Sequence, residues 1–87
     1  MVICKTLCLS TAHISKATAR KIDDGYFDFC LVGKNAFSYT LCSEFDPEDD
    51  LPEDLCRVLE YAGSHDCRFV ILDIGEDTIP ELPTYGW

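Results

Sequence analysis

Four stretches of this chain carry apolar residues in strand-like runs, and apolar positions recur with a helical period along two more. Residues 2–9 place Ile3, Lys5, Leu7 and Leu9 on one face and Val2, Cys4, Thr6 and Cys8 on the other, which predicts a strand. Lys5 alone is strongly polar, so this strand suits the middle of a sheet. The segment from Ser10 to Ser15 reads as a turn, and Ser15 is a good N-cap for a short helix over 16–24. Ile14, Ala17, Lys21 and Ile22 mark one side of that helix, and Asp23-Asp24-Gly25 ends it with Gly25 as the left-handed residue. Residues 26–32 predict a second strand with Phe27, Phe29 and Leu31 inward, Gly33-Lys34-Asn35 a hairpin turn, and 36–42 the return strand with Phe37, Tyr39 and Leu41 inward. A second helix, reaching to about residue 62, carries Leu55, Val58, Leu59 and Ala62 on one stripe. Residues 68–74 are apolar on both faces and predict a last, buried strand.

The resulting order, β-α-β-β-α-β, predicts an α+β fold of the ferredoxin-like split βαβ kind: an antiparallel sheet in the order 4-1-3-2 with two helices on one face. The first and last strands would lie side by side. Residues 75–87, with Pro80 and Pro83, form a proline-rich tail that Ile79, Leu82, Tyr85 and Trp87 could staple across the sheet or a helix. The sheet face away from the helices would be solvated or partly covered by this tail. At 87 residues the chain is one compact domain, too small for deep pockets.

Charge changes the picture more than size does. Sixteen acids against seven bases give a net charge of −9, which disfavours direct binding to nucleic acid or to an anionic membrane and favours basic protein surfaces. The excess is concentrated in residues 43–54, where seven of twelve side chains are carboxylates: Glu44, Asp46, Glu48, Asp49, Asp50, Glu53 and Asp54. Pro47 and Pro52 break any regular element there, so the stretch reads as an acidic loop entering the second helix. Asp50-Leu-Pro-Glu53 matches a capping box, with Asp50 as the cap and Glu53 reaching back. Asp50, Glu53 and Asp54 also suit the positive end of the helix dipole. Glu44, Asp46, Glu48 and Asp49 have no such structural duty, and they are the strongest candidates for contact with a cationic partner.

Several chemistries fail on spacing. Asp46, Glu48 and Asp50 fall at positions one, three and five of a calcium loop, but Leu51 stands where glycine is needed and Arg57 where a bidentate Glu is needed. His65-Asp66-Cys67 is contiguous, and neighbouring side chains diverge too far for a triad. No phosphate-binding glycine loop is present, and a glycosidase pair has little cleft to work in. His13, just before the first helix, reads as a packing residue rather than a catalytic base. Six cysteines without a Cys-x-x-Cys read as free, mostly buried thiols of a cytoplasmic protein, with neither disulfides nor zinc. The N-terminal run is broken by Lys5 and does not read as a secretory leader, and no apolar run is long enough to span a membrane. These readings predict a monomer with no catalytic residues, no cofactor and no metal.

Two short stretches carry a resemblance. Ser10-Thr-Ala-His-Ile-Ser15 and Leu82-Pro-Thr-Tyr-Gly-Trp87 resemble small proteins carried by phages, plasmids and other bacterial mobile elements, as do the Leu51-Pro-Glu-Asp-Leu55 helix entry and Leu72-Asp73. Within that group the chain looks most like the type I-C anti-CRISPR inhibitors, with Gly86 departing from the acid expected there. The resemblance implies a non-enzymatic inhibitor working in the bacterial host cytoplasm. It would mimic DNA and occupy the DNA- or PAM-binding surface of a type I effector, such as its DNA-recognising large subunit. The seven acids of residues 43–54 would stand in for phosphates and engage arginines. The alternative is another mobile-element interaction module, a toxin–antitoxin or host-takeover partner, using a sheet face or edge.

Overall fold

The computed structural model describes residues 3–27, 31–44 and 50–86. Along the chain run β1 (Lys5–Ser10), a single 3₁₀ turn (Thr11–His13), α1 (Lys16–Asp23), β2 (Leu31–Lys34), β3 (Ser38–Cys42), α2 (Glu53–Ser64) and β4 (Cys67–Asp73). The fold is a small α+β domain: one four-stranded mixed sheet and two helices that share a single hydrophobic core.

The sheet order is β1-β4-β3-β2, with β1 and β4 parallel and the other pairs antiparallel. The expected antiparallel sheet in the order 4-1-3-2 is therefore corrected. The first and last strands do pair, but β4 takes the interior position and β1 the edge. Burial explains the exchange. In β4, Val70 and Leu72 are fully buried on the helix side, while Phe69 and Ile71 are half-buried on the other. In β1, Thr6 and Cys8 face water, and small polar or thiol side chains tolerate an edge. Both strands read as apolar on two faces, and only the neighbours decide which strand is enclosed.

Local signals explain most of the helices. Ser15 caps α1, its hydroxyl accepting from the Thr18 amide at 3.2 Å. At the other end the Gly25 amide donates to Ile22 and the Tyr26 amide to Lys21, a Schellman closure that needs the left-handed φ of 86° at Gly25. Asp66, with φ 59°, takes the same place after α2. The buried side of α1 is Thr18, Ala19 and Ile22, whereas the expected Ala17 and Lys21 are exposed. Leu55, Val58, Leu59 and Ala62 of α2 are all buried as their spacing predicts. Each fully buried Leu contributes about 1.5–3 kcal/mol from area removed from water.

Three expectations shift. The hairpin turn lies two residues later than predicted: Gly33 and Lys34 belong to β2, β3 begins at Ser38, and Asn35 Oδ1 accepts the amides of Phe37 and Ser38. That turn swings Phe37 out, leaving it 64% exposed, while Tyr39 packs on the core and Leu41 is buried within it. Phe29 and most of the predicted strand 26–32 lie outside the described residues or precede β2. The tail does not cross the open sheet face. It runs along β1 and the 3₁₀ turn, where the Ser10 amide donates to Asp77 O and the Tyr85 amide to Ala12 O. Leu82 enters the core and Ile79 packs against it; Trp87 lies outside the described residues.

Candidate functional site

The acidic stretch divides once it is placed on the fold. Asp46, Glu48 and Asp49 lie outside the described residues. Glu44 is exposed just after β3, on the rim of an open depression shared with Ser43, Gly63, Asp66, Cys67 and Arg68. Arg68 carries the cation of this depression. Its guanidinium donates to Cys4 Sγ at 3.7 Å, and the Cys4 sulfur, followed by the charge of Glu44, holds it above the usual arginine range. Ser43 itself is structural, its hydroxyl donating to Cys67 O at 2.7 Å.

Asp50 is exposed but does not cap α2. The N-cap is Pro52, without a side-chain cap bond, and the capping box is corrected accordingly. Proline at that position fixes an extended backbone (φ −57°, ψ 147°), which sets the helix start by sterics instead of by a carboxylate. Glu53 does not reach back either; it pairs forward with Arg57, one turn along. Asp54 is corrected most firmly. It lies at the edge of the buried stripe, one turn before Val58, and is 8% exposed. Its carboxylate accepts the Ser15 amide at 2.7 Å and the Thr18 hydroxyl at 2.7 and 2.9 Å. Burial alone would push this carboxyl up. The hydrogen bonds from Ser15, Thr18 and Leu55 outweigh burial and hold it below the usual carboxylate range. Such a group joins α1 to α2 and is closed to a partner.

The acids left at the surface can accept hydrogen bonds and pair with cations. Among the described residues no cluster of His, Cys, Asp and Glu is arranged to hold a metal ion. No helix among them is long and apolar enough to cross a membrane. The five described cysteines, at 4, 8, 42, 56 and 67, are free thiols.

Residues 6–87 match the C-terminal domain of DUF5983, a family of unknown function. The chain belongs to that family. The DUF5983 match spans Glu44, Asp50 and Glu53, the Asp54 junction and the tail. No curated protein and no solved structure is significantly similar to this DUF5983 domain.

Sequence reasoning missed the partners of two side chains. His13 is buried, and both of its ring nitrogens bond the tail. Nothing near His13 in sequence signals this, because its partners lie more than sixty residues away. Thr18 had a legible signal: it is the only hydroxyl on a helix of Ala, Lys and Arg, four residues before Ile22 on the buried side.

Proposed function

We propose that this domain is a non-enzymatic binding module of the bacterial cytoplasm that presents carboxylates to a basic protein surface. One observation carries the reading. Asp24, Glu44, Asp50, Glu60, Asp66, Glu76, Asp77 and Glu81 all face water, while the ion pairs among the described residues are Lys34–Asp23 and Arg57–Glu53. A surface so lacking in internal counter-charge gains most from a partner that brings cations, and long-range attraction speeds the encounter. A protein surface built to hold DNA phosphates has that chemistry. The resemblance to anti-CRISPR inhibitors points to the DNA-recognising surface of a type I effector, with the domain bound in place of DNA. The contact set is Glu44, Asp46, Glu48, Asp49 and Asp50. Glu53 is partly satisfied by Arg57, and Asp54 is withdrawn.

Competition binding on a purified type I-C effector complex tests this. The wild-type protein is expected to displace target DNA. The variant Glu44→Gln, Asp46→Asn, Glu48→Gln, Asp49→Asn, Asp50→Asn is expected to bind about tenfold or more weaker. Neutralising Lys16, Arg20 and Lys21 should leave binding intact. A fivefold variant that competes as well as wild type would remove the acidic stretch as the contact.

The second reading, a toxin–antitoxin or host-takeover partner, has its own support. On the sheet face away from the helices, Thr6, Cys8 and Val32 are exposed, and Thr40, Cys42, Phe69 and Ile71 are half-buried. Binding through that face would be insensitive to the fivefold variant.

A further inference from the structure

His13 is 1% exposed and holds the tail with both ring nitrogens. The Ile79 amide donates to Nε2 at 3.0 Å, and the Pro83 carbonyl lies 2.9 Å from Nδ1. An amide can only donate and a carbonyl can only accept, so the ring must be neutral with its proton on Nδ1. Two more backbone bonds bracket it: Ser10 amide to Asp77 O, and Tyr85 amide to Ala12 O. Together they tie residues 77–85 to the end of β1 and the 3₁₀ turn, with Leu82 set into the core.

We infer that His13 is a proton-released latch. When Nε2 takes a proton from solvent, the acceptor for the Ile79 amide becomes a donor, and two N–H groups face each other. The imidazolium would also be buried with no compensating charge. The tail brings Asp77, Glu81 and Tyr85 near the latch. α2 packs on the 3₁₀ turn and brings Asp54, whose carboxylate is committed to Ser15 and Thr18; α1 brings the exposed Lys16. None of these carboxylates comes within ion-pair distance of the ring. Released into water, the same imidazolium is well solvated and is favoured by the net charge of −9. Acid therefore frees the tail while the sheet, whose ladder does not include His13, stays paired.

Amide exchange on the full chain, corrected for the intrinsic pH dependence of exchange, reads this directly. Wild-type Ile79 and Tyr85 should be protected at pH 7.5. As pH is lowered from 7.5 to 5 their protection should fall, approaching about tenfold per pH unit, the slope for one proton taken up on opening. Val70 and Leu72 of β4 should keep theirs. His13→Gln, which stays neutral and offers both a donor and an acceptor, should lose the slope. If that variant does not fold, the wild-type His13 ring nitrogen shifts at pH 7.5 supply the check: Nδ1 should carry the proton and Nε2 should not. Flat wild-type protection down to pH 5, the same slope in His13→Gln, simultaneous loss at Val70, or a proton on Nε2 at pH 7.5 would each overturn the latch.

Discussion

Asp54 Oδ2, in the first turn of α2, accepts the backbone N–H of Ser15, the N-cap of α1, at 2.7 Å. The two helix starts are thereby joined by one carboxylate. Ser15 Oγ donates to Thr18 Oγ1, and Thr18 Oγ1 donates on to Asp54, so the cap of one helix is wired to the first turn of the other. Removing the carboxylate orphans a part-buried amide and a buried hydroxyl together. Asp54→Ala should cost about 2–4 kcal/mol, since each hydrogen bond to a charged group is worth about 1.5–3. Asp50→Ala, exposed and not capping, should cost under about 0.5 kcal/mol. Urea melts of the two variants rank them, and the opposite order would place the helix junction elsewhere.

The same carboxyl sets part of the acid limit. Its value in the folded state is depressed below the ordinary 3.8. The stabilisation is therefore complete above that ordinary value and is lost as pH falls through the depressed one. The stability gap between wild type and Asp54→Asn should be constant from pH 7 to pH 5. It should begin to narrow only below the ordinary 3.8 and close as pH falls through the depressed folded-state value, where the wild-type carboxyl is uncharged too. Denaturant melts across that range measure it.

Leu82 is the apolar anchor of the tail, 9% exposed and part of the core cluster. Leu82→Ala should destabilise by about 2 kcal/mol, the low end for a buried Leu, because a tail can settle into the space it leaves. Exposed Glu81→Ala next to it should change stability by less than about 0.5 kcal/mol. Thermal melts distinguish them.

Thiol reactivity should separate the cysteines by place. Cys4 and Cys8 are exposed and Cys67 is buried. Burial, then the hydrogen bond and charge of Glu60 and the charge of Glu53, pushes the Cys56 thiol above its ordinary value. Since the thiolate is the nucleophile, Cys56 should alkylate severalfold slower than Cys8 at pH 8, and Cys67 slowest of all. Mass spectrometry of a timed iodoacetamide reaction gives the order. After denaturation without reductant all six cysteines should be modified, and an intact disulfide would contradict the free-thiol reading.

Elements governed by their own residues were legible. Ser15 and Gly25 bound α1 because capping and left-handed closure are local; the stripe Leu55, Val58, Leu59 and Ala62 needs only a period. What depends on distant partners was not. Asp54 reads as one more acid in an acidic run until Ser15 and Thr18 stand opposite it. Phe37 reads as a core residue until Asn35 turns the chain under it. Thr6 and Cys8 give β1 a face that could be buried or wet, so the sequence did not say which of two apolar strands is enclosed. In the candidate site, exposure separated Glu44 and Asp50 from Asp54, and exposure is a property of the fold.

β1 pairs with no described strand but β4, and the β2–β3 hairpin also reaches β1 only through it. Residues 5–10 must therefore wait for residues 67–73 before they gain a ladder partner, a loop closure of about sixty residues. During synthesis the early strand and the hairpin emerge as two fragments with no shared hydrogen bonds, and α2 has no complete sheet to lie on. High contact order of this kind slows folding, so the domain should fold late and in a single concerted step once β4 has cleared the ribosome.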